Sequence, residues 1–79
     1  MIRPMLVRDK TLAAFGRNVA RIRDERGFSQ DKLAEKAEID RTYLSGIERG
    51  LRNPGIRVVI CIARALGVTV DQLCKGVDV

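Results

Sequence analysis

Apolar residues recur along the chain at the three- and four-residue spacings of amphipathic helices, not in the alternation of strands. Leu12, Phe15, Val19 and Ile22 share one stripe, which predicts a helix from about Asp9 to Arg26 stopped by Gly27. Ser29 is suited to cap a second, short helix whose Leu33, Ala34 and Ala37 fall on one face. Glu38-Ile39 forms a corner, and Asp40 caps a third helix with a charge that suits a helix N-terminus. Leu44 and Ile47 mark its inward side, and Gly50 ends it in a left-handed conformation. Leu51 to Gly55 is a loop. A fourth helix from Ile56 to Leu66 carries a core stripe of Ile56, Val59, Ile62, Ala63 and Leu66 and stops at Gly67. Thr69 caps a last short helix anchored by Val70 and Leu73. The expected class is all-α: five helices around one core, without an internal repeat.

The second and third helices make a helix-turn-helix. At about 100° per residue, the inward direction of Leu44 and Ile47 leaves Thr42, Ser45, Gly46 and Arg49 pointing outward, with Arg41 and Tyr43 at the flanks. Small outward residues allow close approach to a groove floor. Arg41, in the first turn, is placed to donate two hydrogen bonds to guanine. The same face also fits ordinary solvated surface, and many domains contain helix hairpins.

Further residues bring a resemblance into view. Gln30, Leu33 and Ala34 in the second helix, Ile39 in the corner, the string DRTYLSGIERGLRNP and the later ARALGV together resemble the lambda-repressor-like (Xre-type) helix-turn-helix family from about Phe15 to Leu73. Within it, DRTYLSGIERG followed by RNP is similar to the controller proteins of restriction–modification systems. One departure stands out: many members carry glycine where this chain has Glu38, and a non-glycine residue with positive φ is strained. The resemblance implies a compact lambda-repressor-like DNA-binding domain, and the chain is divided into an arm at 1–10, that domain at 11–76 and a short C-terminal tail at 77–79. It implies base readout by Arg41 and Thr42, with Tyr43 and Ser45 beside them on base or backbone. Gln30, Arg49, Arg52 and Asn53 would hold the DNA backbone. For Arg52 and Asn53 an ordinary polar loop is the alternative. The implied role is autoregulation of a restriction–modification operon from a palindromic double-stranded operator. Phage-type repressors and antitoxin regulators share the same fold.

Two structural expectations follow from the residues themselves. Arg23, four after Val19, borders the first helix's core stripe, and Glu48 borders the buried side of the third helix. Half-buried charges are costly unless they meet, so the two should form a clamp, as in the family. The fourth helix is apolar nearly all round, with Val58, Ile60, Cys61 and Ala65 outside its core stripe. A domain this small lacks a second layer to cover that surface, which points to a homodimer through Val58, Cys61, Ala65 and Leu73. The apolar Met5, Leu6 and Val7 of the arm are the competing cover.

Composition narrows the choice of function. A chain of 79 residues fits one core, with no room for a catalytic lobe. The formal charge of +5 and a pI near 9.9 favour a polyanionic partner. There is no histidine, no Gly-rich phosphate loop and no singled-out carboxylate pair, so an enzyme is a poor fit and no cofactor or small-molecule ligand is indicated. Cys61 and Cys74, thirteen apart, do not make the four-ligand sets of zinc. They are expected as reduced, packed residues, although spacing alone permits a disulfide. No run approaches the ~20 apolar residues of a membrane span, and the start is too short in apolar residues for a signal peptide, so a cytoplasmic location is expected. A protein-binding module would need an apolar outward face on the third helix, and a nonspecific nucleic-acid binder would lack sequence preference.

Overall fold

The computed structural model describes residues 9–78. The order is α1 (Lys10–Glu25), α2 (Gln30–Ala37), α3 (Arg41–Glu48), α4 (Ile56–Leu66) and α5 (Val70–Leu73). The caps lie where side-chain chemistry places them. Asp9 accepts from the Leu12 amide at 3.0 Å, and Ser29 Oγ accepts from the Lys32 amide at 3.0 Å. Thr69 and Gln72 cap α5 reciprocally. The apolar Met5, Leu6 and Val7 of the expected arm lie outside the described residues.

α1 packs on α3, α2 lies against α3 and α4, and α5 closes the globule against α1 and α4. Val19, Leu33, Leu44, Ile47, Ile62 and Leu73 are all fully buried where these helices meet. Each such side chain contributes about 1.5–3 kcal/mol relative to exposure, against the entropy of ordering it.

Three expectations need correction. Ile56 is not in the core but 66% exposed, because it begins α4 a turn ahead of the residues that meet the other helices. Leu73 is completely buried within its own domain and so has no surface to offer a dimer partner. Cys61 is exposed and not packed, whereas Cys74 is half-buried against the core; both are free thiols. Residues 77 and 78 of the short C-terminal tail are anchored: Val77 packs against the core, and Thr11 Oγ1 donates to the Asp78 carbonyl at 2.6 Å. Asn18 Nδ2 adds hydrogen bonds to the carbonyls of Leu73 and Lys75, each 2.9 Å, drawing this end of the chain onto α1.

The corner between α2 and α3 keeps the left-handed conformation despite its glutamate. Glu38 has φ 59° and ψ 43°, and the Ile39 amide donates to the Ala34 carbonyl at 3.0 Å to close the turn. That conformation costs an L-residue roughly 1–2 kcal/mol, offset by the satisfied carbonyl and by Ile39 packing against the core.

The crossing of α1 over α3 depends on a glycine. A Cβ on Gly16 would stand 2.3 Å from the Ile47 carbonyl oxygen and 2.6 Å from that of Glu48. Both obstacles are backbone, so neither can swing aside. Gly50 meets α1 in the same way, 2.8 Å from Ala13 Cα, and also has φ 75°. A glycine inside a helix gives up about 1 kcal/mol of propensity relative to alanine; here it sets the interhelical distance. Gly16→Ala is therefore expected to destabilise the domain by about 1–3 kcal/mol despite the better helix former. Denaturant titration measures this, and an equal or higher midpoint would show that α1 and α3 can separate without cost.

Candidate nucleic-acid interface

α3 is held differently at its two ends. At the start, the Asp40 carboxylate accepts from the amides of Thr42 at 2.9 Å and Tyr43 at 3.3 Å. Leu44 and Ile47, both fully buried, fix the rotation of the helix. With that rotation set, Arg41, Thr42 and the capping Arg49 are exposed, while Tyr43 and Ser45 are half-buried. Gly46 is not the open position expected from helical spacing. It is buried beneath the loop, and a Cβ there would lie 2.6 Å from Arg52 Cγ. The Arg52 stem thus lies over Gly46, and its guanidinium sits 5.8 Å from the Tyr43 ring centroid. Asn53 is exposed beside it.

At the far end the Glu48 side chain is only 6% exposed. Its carboxylate accepts from Arg23 Nε at 2.7 Å, Arg23 Nη2 at 3.1 Å and Gln30 Nε2 at 2.9 Å. Arg23 Nη1 donates to the Phe28 carbonyl at 2.8 Å, so one guanidinium ties α1 to α3 and to the segment before α2. The hydrogen bonds to Glu48 raise the Arg23 pKa above its ordinary value, against the lowering effect of burial. A raised folded value stabilises fully below the unfolded value and is lost only as pH rises past it. The arginine side of the clamp is therefore constant through the neutral range.

The expected clamp of Arg23 and Glu48 is present, and it recruits a third member. Gln30, expected to hold a phosphate through its side chain and nearby amides, also donates one side-chain N–H to Glu48. The glutamate lies within reach, and a buried carboxylate with unfilled lone pairs takes any available donor. The Gln30 main-chain amide, first in α2, belongs to the helix-end amides that lack intrahelical partners. Arg41 also has a neighbour that sequence reading missed: its Nε lies 3.3 Å from Asp31 Oδ1 on α2. The sequence carries no periodic signal for that pair, since the two residues belong to different helices. Gly16 was discoverable, because a glycine within a strongly periodic helix asks for a packing reason.

A capped polar helix with cations at both ends, seated on a shorter preceding helix through a left-handed corner, is a helix-turn-helix unit. Residues 19–73 match the helix-turn-helix family, and the chain belongs to it. It is similar to the control protein C.BamHI of Bacillus amyloliquefaciens, with 46% identity over 60 residues covering 75% of this chain and 74% of that protein. Among solved structures it resembles the restriction-modification controller protein C.AhdI from Aeromonas hydrophila, with 35% identity and a TM-score of 0.78, covering 78% of this chain and 94% of that one. C.Esp1396I bound to a 19 base pair DNA duplex matches at 36% identity and a TM-score of 0.78, covering 85% and 89%. Three further curated relatives are longer, and the chain spans 40%, 58% and 44% of them.

Removing the carboxylate of Glu48 would leave the largely buried Arg23 with only the Phe28 carbonyl and the exposed Asp24 carboxylate, 3.6 Å from Nη1, as partners. Glu48→Ala is expected to cost about 3–5 kcal/mol of stability, whereas Glu48→Gln, which keeps an acceptor oxygen, should cost less. Thermal and denaturant melts measure both; a parent-like melt for Glu48→Ala would mean that the pair contributes nothing.

Proposed function

We propose that this chain is a homodimeric, sequence-specific DNA-binding transcriptional regulator of the controller type, autoregulating a restriction–modification operon from a palindromic operator. The observation that carries this reading is the presentation of Arg41 and Thr42, exposed at the start of a helix whose other end is locked into the core by Glu48. A helix fixed at its rear can hold its first turn against base edges in the major groove. Similarity to proteins described as restriction-modification controllers, one of them on a DNA duplex, supports the same role.

In this reading Arg41 and Thr42 address base edges, while Tyr43 and Ser45, at the half-buried flanks, contact base or backbone. Arg49, Arg52 and Asn53 grip phosphates on one side. The Gln30 main-chain amide meets a phosphate at the start of α2, where helix amides and dipole favour an anion. Arg52, lying over Tyr43, joins the loop to the recognition helix in a single contact surface. No helix among the described residues is long and apolar enough to cross a membrane, and a cytoplasmic site of action accompanies a DNA operator.

Dimerisation through α4 gives the two-fold symmetry that a palindrome needs. Cys61 and Ile60 are exposed on its outward face, with Val58 and Ala65 half-buried along one edge. A second copy seated there places two recognition helices on half-sites about one DNA turn apart.

Selection of bound sequences from random duplex DNA tests the reading. A palindromic consensus is expected; no enrichment would indicate a nonspecific binder, and no binding a different partner. On that consensus, Arg41→Ala should lose about 1–3 kcal/mol and relax preference at one base pair. Arg49→Ala should weaken all sequences alike and flatten the salt dependence.

Cys61→Asp is expected to yield a folded monomer with much weaker operator affinity. Analytical ultracentrifugation with circular dichroism reports both properties, and a dimer that survives this change would move the interface off the centre of α4.

A further inference from the structure

The contact between Arg41 and Asp31 has no structural necessity. Arg41 opens α3 and Asp31 is the second residue of α2; Arg41 Nε stands 3.3 Å from Asp31 Oδ1, with the side chains 60% and 80% exposed. An exposed pair of this kind contributes little to stability. α2 does not need the carboxylate as a cap, because Ser29 already fills that place. Lys32, the next residue, pairs with Glu35 and not with Asp31. On a face meant for a polyanion, a bare carboxylate opposes binding. Its contact is nevertheless with the cation that the proposed function directs at base edges.

The guanidinium is a rigid plane of five N–H donors. The ion pair approaches closest at Nε, an electrostatic contact at the inner edge of the guanidinium that leaves the two terminal nitrogens on the other side. Those two nitrogens are spaced to meet O6 and N7 of guanine together. A carboxylate beside one edge of the guanidinium biases it toward presenting the opposite edge to the groove. An arginine free to rotate serves a phosphate as readily as a base. Once water is excluded from the groove the ion pair strengthens, so its hold is greatest in the bound state. If Arg41 swung away to a phosphate, Asp31 would be left unpaired beside the DNA, a penalty that falls on incorrect sites.

We infer that Asp31 is a positioning residue that orients Arg41 for guanine and lowers overall affinity in return for discrimination at one base pair. This rests on the proposed reading of α3 as the helix in the major groove. The experiment compares the parent, Asp31→Asn, Arg41→Ala and the double variant on the selected consensus duplex. It adds the three duplexes altered at the base pair whose preference Arg41→Ala removes, and a random duplex. Asp31→Asn is expected to bind random duplex more tightly than the parent, and to discriminate at that one base pair about tenfold less well, with preferences elsewhere unchanged. In the Arg41→Ala background, Asp31→Asn should shift all duplexes together and leave discrimination untouched. If Asp31→Asn tightens every duplex equally and keeps the parent's discrimination, Asp31 is a surface charge and the inference is overturned. A parent that prefers no sequence overturns the underlying reading and this inference with it, and the parent's own titration separates that outcome from the previous one.

Discussion

The carboxylate of Glu48 is the constraint on which the arrangement of helices depends. Nearly enclosed, it lies in surroundings where an unpaired charge is costly, and it is met by three donors from two other helices. Arg23 comes from α1 and Gln30 from the start of α2, while Arg23 also binds the Phe28 carbonyl between them. Any displacement of α3 along or about its axis would break charged hydrogen bonds in a site that water does not readily refill. Hydrophobic burial of Leu44 and Ile47 supplies more of the stabilising free energy and sets which face of the helix turns inward, but it is non-directional. The bonds to Glu48 add direction to it. Orientation of the exposed face is therefore a property of the core.

Distance is set separately from orientation. Gly16 brings the α1 backbone against the carbonyls of Ile47 and Glu48, immediately beside the residue that Arg23 holds. A wider crossing would lengthen the Arg23–Glu48 bonds as well as open a gap in the core. The strained corner at Glu38 fits the same economy: α2 and α3 are both held from elsewhere, so the turn between them adopts a conformation its side chain does not favour.

The helices and their caps were legible because apolar spacing and cap chemistry agree at Ser29, Asp40 and Thr69, each followed by its own apolar stripe. The clamp was legible from two charges bordering buried faces. What helical spacing alone could not show was where neighbouring elements would lie. Gly46 faces outward on an isolated helix, yet Arg52 folds back over it. Ile56 continues the α4 stripe in register, yet it is 66% exposed while Val59, one turn on, is buried. Leu73 is apolar on a short terminal helix, which suits either a core or an interface, and packing against α1 and α4 chose the core. The second role of the Gln30 side chain, as a donor within the clamp, has no signal in the spacing of the second helix. The acceptor, Glu48, is eighteen residues away in sequence and adjacent only in the fold.

The unlike fastening of α3 has a mechanical consequence. Its rear is welded to two other helices through a nearly enclosed carboxylate, whereas its tip is held by the Asp40 hydrogen bonds to the amides of Thr42 and Tyr43 at the surface. The helix is a cantilever, stiff at the root and compliant at the free end. Fluctuation of the α3 backbone should be greatest in its first turn and fade toward Glu48, while Asp31 draws the Arg41 side chain back toward α2. Amide exchange along these eight residues would then grade from local fraying at the front to whole-domain opening at the back. Such a beam can accommodate small irregularities in the surface it meets by bending at the tip, without transmitting them to the interior.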